Sequence, residues 1–348
     1  MVQRRDPVDG HVPVRPPTLE VVAARAGVSR ATASRVLRGA TNVSDDAREA
    51  VLRAARETAY APNRAARSLV TRRSDSIAFL VAESEDRLFT DPYFLAMLRG
   101  AHSQIAASGL QLIFVIASTP AEADQFEHYA AGGHVDGVLL VSLHGDDRLP
   151  QRLEQLGVPT VINGRPLSGD PSLCYVDSDN LSGGRAATEL LIARGARRIA
   201  TITGPQDMCA GQDRLQGYRA ALTDAGRTVD QQLIAFGDFT VDGGTRAMHA
   251  LLDADPDVDA VFAASDLTAI GALRAIEQAG RRVPDDIAVI GFDDLREAAL
   301  TTPPLTTVRQ PIAELGQTMA QLLVRRIAGE DPQRATVLPV EVVQRRTA

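Results

Sequence analysis

The chain carries two kinds of hydrophobic pattern, which meet near residue 75. Up to residue 60, apolar side chains recur every three or four positions in three short stretches, which is the spacing of amphipathic α-helices. Beyond residue 75, short apolar runs alternate with longer amphipathic stretches, as in parallel sheets covered by helices. The sequence therefore predicts a small all-α module followed by a large, doubly wound α/β module.

The small module has the layout of a helix-turn-helix motif. Gly27 permits a tight turn between the first two helices, and Ser29 and Ser44 can cap the second and third. The apolar positions expected to face inward are Leu19, Val22, Ala23, Ala26, Ala33, Val36, Leu37, Ala47, Val51, Leu52, Ala55 and Ala59. The outward side chains of the second helix are mainly hydroxyl and guanidinium groups, which suit phosphates and guanine edges: Ser29, Arg30, Ala31, Thr32, Ser34, Arg35 and Arg38.

The charge is divided unevenly between the two modules. The 348 residues have a formal net charge of −7, yet residues 1–73 hold 14 Arg against 7 acidic residues. The remainder holds 23 Arg against 37 acidic residues, so a basic module is joined to an acidic one. The chain has no lysine. This excludes a Walker A loop and Schiff-base chemistry, and we expect no cofactor.

The segment after the third helix is also basic. Pro62 ends that helix, and residues 63–70 have the pattern of a short helix with exposed arginines. Eight such residues do not hold a helix alone in water, so a polyanion is a reasonable partner to order them.

The stretches TLEVVAARAGVSRATASRVLRG, VS and YAPNRAARSLVTRRS together resemble the DNA-binding headpiece and hinge helix of the lac repressor (LacI/GalR) family. The resemblance implies that Arg30, Ala31 and Arg35 contact bases, and that Leu69 wedges between the central base pairs in the minor groove. The full set implied to contact DNA is Thr18, Ser29, Arg30, Ala31, Thr32, Ser34, Arg35, Asn42, Asn63, Arg64, Ala66 and Leu69. Two hinge helices must meet to do this, so the expected DNA-bound form is a homodimer on a near-palindromic operator.

The large module has eight clear strand candidates, which are Ile77–Ala82, Leu112–Ala117, Val138–Ser142, Thr160–Asn163, Arg198–Thr203, Leu233–Phe236, Ala260–Ala264 and Ala288–Phe292. Helices are predicted at Leu267–Ala279 and Ile312–Ile327, and one last strand at TVLPVEVVQ. Eight or nine strands fit two sheets better than one, with the break near Tyr175–Asn180. The expected domains are an N-terminal arm (1–17), the helix-turn-helix (18–61), the hinge helix and linker (62–75), a first lobe (76–175 and 307–331) and a second lobe (176–306 and 332–348).

Groups suited to sugars follow many of these strands. Carboxylate and guanidinium groups satisfy vicinal hydroxyls, and an aromatic face covers the apolar face of a pyranose. Ligands of such sheets bind at the carboxyl ends of the strands, here between the lobes. The expected effector-binding residues are Asp91, Tyr93, Phe94, Asn163, Arg165, Arg214, Phe239, Ser265, Asp266 and Asp293. Structural alternatives stay open, because Asp179 and Asp266 could cap helices, Asp294 could cap a turn and Phe94 could be core.

Further motifs extend the resemblance to the C-terminus. VDSDNLSGG, GPQDM with RLQGYRAAL, AASDLTAIGALRAI, VIGFDD and PPLTTVRQP resemble landmarks of the family's effector-binding core, which is similar to periplasmic sugar-binding proteins. The resemblance implies that Arg214, Asp266 and Asp293 bind effector hydroxyls and that Phe239 stacks on the ring. One departure is Ser265, at a position that is often Asn in sugar-binding members.

Within the family, the stretches AESEDRLFTDPYF, HVDGVLLVSLH, GPQDM and GDFTVDGG look closest to actinobacterial repressors of cellulose and cello-oligosaccharide utilisation genes. The sequence is therefore expected to encode a transcriptional repressor that a small sugar, with cellobiose as first choice, releases from DNA. Another sugar, or a corepressor such as a purine, stays open as the effector.

Other classes of protein fit less well. No G-x-G-x-x-G, G-x-S-x-G or H-E-x-x-H motif occurs, and the six histidines lack metal-ligand spacing, so neither an enzyme nor a metal site is expected. No run reaches the roughly 18 apolar residues of a membrane span, and the N-terminus lacks the apolar core of a signal peptide. We therefore expect a cytoplasmic protein rather than a sugar-transport receptor.

Overall fold

The computed structural model describes residues 17–37, 39–40, 42–60 and 73–348. The chain divides into two compact units, Met1–Arg73 and Ser74–Ala348. The expected N-terminal arm up to residue 16 lies outside the described residues. So do Arg38 and the hinge positions Asn63, Arg64, Ala66 and Leu69.

Three helices form the described part of the smaller unit: α1 (Leu19–Ala26), α2 (Arg30–Leu37) and α3 (Asp45–Glu57). Gly27 ends α1 in the left-handed region with a φ of 67°, which glycine adopts without steric cost. The Oγ of Ser29 accepts a hydrogen bond from the backbone N–H of Thr32 at 3.1 Å, as a capping residue does. Ser44 precedes α3, but its side chain makes no capping hydrogen bond.

The core of this unit differs from the expected one on α3. Val51 and Ala54 are buried, whereas Leu52 is 40% exposed and Ala59 is also exposed. Residues three apart share a helix face, while Leu52 is turned by about 100° from Val51. Ala59 lies beyond the end of α3. The expectation that Leu52 and Ala59 face inward was therefore wrong.

Two six-stranded sheets form the larger unit. The first has the order β11-β5-β4-β3-β1-β2 and is parallel throughout, and the second has the order β12-β10-β9-β8-β6-β7, with only β12 antiparallel. The strands are β1 (Ser76–Val81), β2 (Gln111–Ile116), β3 (Gly137–Val141), β4 (Thr160–Asn163), β5 (Cys174–Ser178), β6 (Ile199–Thr203), β7 (Ile234–Phe236), β8 (Ala260–Ala263), β9 (Ala288–Asp293), β10 (Thr306–Arg309), β11 (Ala335–Leu338) and β12 (Glu341–Val343).

Nine further helices cover these sheets: α4 (Glu85–Thr90), α5 (Pro92–Ala107), α6 (Pro120–Ala131), α7 (Leu149–Gln155), α8 (Asn180–Ala193), α9 (Cys209–Asp224), α10 (Val241–Ala254), α11 (Asp266–Gln278) and α12 (Ile312–Ile327). The parallel order of the strands joined by these helices is the doubly wound architecture that the alternating pattern predicts. None of the helices described is both long and apolar enough to span a membrane.

All eight strand candidates are confirmed to within one residue, but β5 and β10 were not predicted. The expected C-terminal strand is in fact two strands, β11 and β12, which belong to different sheets. Pro339 lies between them, and a proline has no N–H to continue a ladder of hydrogen bonds.

The borders between the lobes also differ from those expected. The chain crosses between the sheets after β5, after β10 and after β11. All of β5 and β11 therefore belongs to the first lobe, and all of β10 to the second, which corrects the expected borders at residues 175, 307 and 332. The apolar pattern marks a strand but does not specify which neighbour it pairs with.

Helices α5 and α12 pack closely in the first lobe because glycine removes a side chain from each. A Cβ at Gly100 of α5 would overlap the carbonyl oxygen of Ala313, and one at Gly316 would overlap that of Met97. Backbone atoms cannot move aside as a flexible side chain can.

We expect Gly100→Ala to lower the free energy of unfolding by about 1–3 kcal/mol, because overpacking a close contact forces the two backbones apart. Urea unfolding followed by circular dichroism measures this change. Ser103→Ala, on the exposed side of the same helix, is the matched control. Equal stability of Gly100→Ala and Ser103→Ala would contradict this packing.

Candidate functional site

A cleft lies between the two lobes of the larger unit, at the carboxyl ends of their strands. Its empty volume, including the open mouth, is about 730 Å³. Nine of the ten expected effector-binding residues line it: Asp91, Tyr93, Phe94, Asn163, Arg165, Arg214, Phe239, Ser265 and Asp293. The tenth, Asp266, does not. The structure thus brings residues at or after the ends of six strands into one cleft.

Arg214, on α9, is a buried charge at the floor of the cleft. Its Nε donates to Asn180 Oδ1 at 2.8 Å, and its Nη1 donates to the carbonyl oxygen of Ala264 at 2.5 Å. Its guanidinium carbon lies 3.7 Å from the ring centroid of Phe292. Burial lowers the pKa of the guanidinium, which the Asp293 carboxylate opposes. Among the described residues no hydrogen bond engages Nη2, so this nitrogen is left for a ligand.

Asp293 ends β9 beside this arginine. Its Oδ1 lies 3.7 Å from Nη1 of Arg214 and accepts a hydrogen bond from Gln310 Nε2 at 2.6 Å. Burial raises the pKa of Asp293 to about 7, which Arg214 opposes and Asp91 reinforces. Near neutral pH the carboxyl can therefore either accept a hydrogen bond from a hydroxyl group or donate one to it.

Asp266 lies beneath the cleft rather than on its surface. Its side chain is 0% exposed, and its oxygens accept hydrogen bonds from the N–H of Leu295 at 2.7 Å and the hydroxyl of Thr307 at 2.5 Å. Ser265, not Asp266, caps α11, because its Oγ accepts from the N–H of Thr268 at 3.1 Å. Asp266 is therefore in the first turn of α11 and holds the segments around β9 and β10 together.

Aromatic side chains enter the cleft from both lobes. Tyr93 and Phe94 lie at the start of α5, which Asp91 caps through the N–H of Tyr93 at 3.0 Å. The hydroxyl of Tyr93 donates to Asn163 Oδ1 at 2.9 Å, and burial raises the pKa of Tyr93 above its ordinary value. Phe94 also belongs to the core of the first lobe.

Phe239 reaches the cleft from the second lobe through an unusual backbone conformation. Its φ is 63°, in the left-handed region that non-glycine residues adopt at some energetic cost. A Cβ at Gly204 would overlap its ring, so that glycine makes room for the aromatic side chain. The centroid of the ring lies 5.3 Å from the guanidinium carbon of Arg87 and 5.4 Å from that of Arg214.

The sequence patterns did not predict several of the lining residues, among them Arg87, Asp177, Asn180 and Gln310. Asp177, Asn180 and Gln310 lie at or just after β5 and β10, the two strands that were not predicted. The rule that sites collect at strand ends would have found them. Arg87 lies on the short helix α4, and its Nε is buried with no hydrogen-bond partner in the described part of the chain.

The exposed face of α2 is the candidate DNA interface of the smaller unit. Arg30, Ala31 and Arg35 are exposed there, as are the predicted contacts Thr18, Ser29 and Asn42 nearby, whereas Thr32 and Ser34 are half-buried. Arg30 pairs with Glu20 at 2.8 Å. The described residues provide no hydrogen-bond or ion-pair partner for Arg35, which leaves its guanidinium free to contact a base edge.

Known proteins match both units. Residues 18–63 match the lacI family of bacterial regulatory proteins, and residues 188–348 match the periplasmic binding protein-like domain. The HTH-type transcriptional regulator CelR of Thermobifida fusca is 52% identical over 330 residues, which cover 94% of this chain and 96% of that protein. The chain belongs to the lacI family. Its membership confirms the family expected from the sequence motifs.

Solved structures of lacI family members have the same fold. A CelR–cellobiose complex matches with a TM-score of 0.77 and 49% identity, covering 95% of this chain and 100% of that one. The lac repressor dimer bound to operator and the anti-inducer ONPF matches with a TM-score of 0.83 and 28% identity, covering 96% of this chain and 99% of that one. The expected α/β class, with a helix-turn-helix headpiece and a periplasmic-binding-protein-like core, is thereby confirmed.

Proposed function

We propose that this lacI family protein represses carbohydrate-utilisation genes and leaves its operator when cellobiose, or a related cello-oligosaccharide, binds the interlobe cleft. The observation that carries the proposal is the buried Arg214–Asp293 pair beside the Phe239 ring, in the cleft between the two lobes. The 52% identity to CelR, and the cellobiose bound in a structure 49% identical to this chain, support the choice of sugar.

The chemistry of the cleft suits a neutral polyol. Arg214 and Asp293 offer donors and acceptors to neighbouring hydroxyls, and Phe239 offers an aromatic face to the pyranose ring. Asp91, Tyr93, Phe94, Asn163, Arg165 and Ser265 are proposed to complete the surface that holds the sugar. Asp266 is proposed to act from below, by holding the segments that position Asp293.

The headpiece is proposed to bind DNA as a homodimer on a near-palindromic operator. Arg30, Ala31 and Arg35 would contact base edges in the major groove, while the half-buried hydroxyls of Thr32 and Ser34 would face phosphates. Of the hinge residues, which lie outside the described residues, Ala66 and Leu69 are proposed to enter the minor groove, Asn63 to contact a phosphate, and Arg64 to contact the DNA. We also propose that the protein acts in the cytoplasm and that it is not an enzyme.

Release of DNA requires that the sugar bind the DNA-incompetent state more tightly than the DNA-bound state. A coupling free energy of about 1–3 kcal/mol would lower operator affinity by roughly 5- to 150-fold. By the same linkage, operator DNA would weaken sugar binding by the same factor.

A thermal-shift screen followed by gel shift tests the proposed function. We expect cellobiose to raise the melting temperature and to release the operator, because it binds the folded core. Maltose, which differs in the configuration of its glycosidic bond, is the matched control, and hypoxanthine tests the purine class. An unchanged melting temperature with cellobiose would overturn the choice of sugar. Tighter operator binding in its presence would overturn the direction of the response.

A further inference from the structure

A cluster of charged and polar residues joins the two lobes at the rim of the cleft. It consists of Glu83, Arg87, Ser142 and His144 from the first lobe and Asp207 from the second, and we call it the rim cluster. Glu83 is almost fully buried, and it accepts hydrogen bonds from the hydroxyl of Ser142 at 2.6 Å and from Arg87. These contacts fix the Glu83 carboxylate in one position.

The His144 imidazole bridges two carboxylates. Its Nε2 lies 2.8 Å from Glu83 Oε1, and its Nδ1 lies 2.9 Å from Asp207 Oδ2. A neutral imidazole carries one N–H and can donate to only one of them, so the bridge requires the doubly protonated imidazolium. The N–H of Gly145 also donates to the carbonyl oxygen of Asp207, at 2.8 Å. The two lobes are thus joined at His144, the residue that carries the extra proton.

The charges around the ring support this protonation state. The hydrogen bond to Glu83 raises the pKa of His144, burial opposes this, and the hydrogen bond to Asp207 adds to it. Burial would raise the pKa of Glu83, but His144 and Arg87 together lower it below its ordinary value. The other charged groups that face this region are Asp124, Asp147 and Arg152, which share a neighbouring cavity with His144.

We propose that the rim cluster is a proton-dependent clasp: the arrangement described, in which the lobes meet at His144 and Asp207, is the one that holds the effector, and it also holds a proton on His144. Separating the lobes removes Asp207 and leaves the imidazole with Glu83 alone. The clasp rests on the proposed function, because it regulates effector binding at the same cleft. Arg165 and Asp213 form a second ion pair between the lobes, at 2.7 Å, but arginine keeps its charge at every physiological pH.

The direction of the pH dependence follows from linkage. The pKa of His144 is higher with the lobes joined than with Asp207 withdrawn, so closing takes up protons between those two values. Effector affinity is therefore highest at a pH below the lower pKa. It declines as the pH rises from the lower pKa through the higher one. One proton per protomer limits the decline to about tenfold per pH unit.

Calorimetric titration with cellobiose between pH 6 and 8.5, in two buffers of different ionisation enthalpy, counts the protons taken up. We expect uptake approaching one proton in the wild type and its loss in His144→Gln and Asp207→Asn. His128→Gln, an exposed histidine on α6, is the matched control and should behave as the wild type. Asp293 titrates in the same cleft but is unchanged in all variants, so the difference reports His144. Equal uptake in wild type and His144→Gln overturns the clasp.

A second measurement separates this proposal from the choice of sugar. If cellobiose binds at no pH, the proposed choice of sugar fails, and NMR titration of the histidine rings of the protein alone still tests the clasp. We expect one resonance that titrates above the usual histidine range, is absent from His144→Gln and moves to lower pH in Asp207→Asn. A His144 resonance that titrates at the same pH in wild type and Asp207→Asn overturns the clasp.

Discussion

The Asp293→Ala variant should bind its operator normally and fail to release it when cellobiose is added. The carboxyl group lies between Arg214 and Gln310 at the cleft surface, so its removal deletes a partner for the sugar hydroxyls and leaves Arg214 without its nearest carboxylate. A hydrogen bond to a charged group contributes about 1.5–3 kcal/mol, which corresponds to roughly a 10- to 150-fold loss of sugar affinity. Fluorescence anisotropy of labelled operator, with and without cellobiose, measures the release.

Two further variants make the result on Asp293 decisive. Asp293→Asn keeps the shape of the side chain while removing its charge, so it separates a loss of chemistry from a loss of fold. Asp253→Ala removes an exposed carboxylate from α10 of the same lobe and should respond to cellobiose like the wild type. Normal release by both Asp293 variants would remove this residue from the effector site.

The second large effect is expected in the headpiece, where Arg35→Ala should weaken operator binding about 5- to 150-fold. An arginine that contacts a guanine through two hydrogen bonds contributes about 1–3 kcal/mol of discrimination. Arg35 is exposed on α2, so no internal contact has to break before it reaches a base. Base preference should relax at one operator position, and competition gel shifts with operators substituted at single positions would detect this.

The control for Arg35 is Arg53→Ala, an exposed arginine on α3 that removes the same charge from the same unit. It should change operator affinity much less, because α3 is not the helix that resembles the base-reading element. If Arg35→Ala binds every operator as tightly as the wild type does, the assignment of α2 as the reading helix is wrong.

The sequence predicted most of the cleft because one local rule applies to each strand separately: ligands of parallel sheets bind at the carboxyl ends of the strands. The expected residues that follow β1, β4, β8 and β9 line the cleft, with the exception of Asp266, and they were found once those apolar strands were recognised. The rule failed after β10, because that strand contains two threonines and an arginine and does not have an apolar pattern. Thr306 and Thr307 are nevertheless fully buried, since their hydroxyls donate to the carbonyl oxygen of Ala348 and to Asp266. Their hydrogen-bond partners made these polar residues suitable for a core strand.

The sequence also did not determine in which direction a side chain at a strand end points. Ser265 and Asp266 are adjacent, and either could have capped α11 or faced the cleft. The structure makes Ser265 the cap and turns Asp266 toward Leu295 and Thr307, residues that come later in the chain. No feature of the sequence near Asp266 distinguishes these outcomes.

The sequence by itself determined the helix-turn-helix module, the alternation of strands and helices, and the basic and acidic halves of the chain. These properties depend on periodicity, turn residues and charge, which are local. Only the tertiary structure decided which sheet each strand joins, that Asp266 lies below the cleft, and that Glu83, His144 and Asp207 meet. The last three residues are separated by 61 and 63 positions, so their contact depends on how the lobes pack and not on any pattern within one segment.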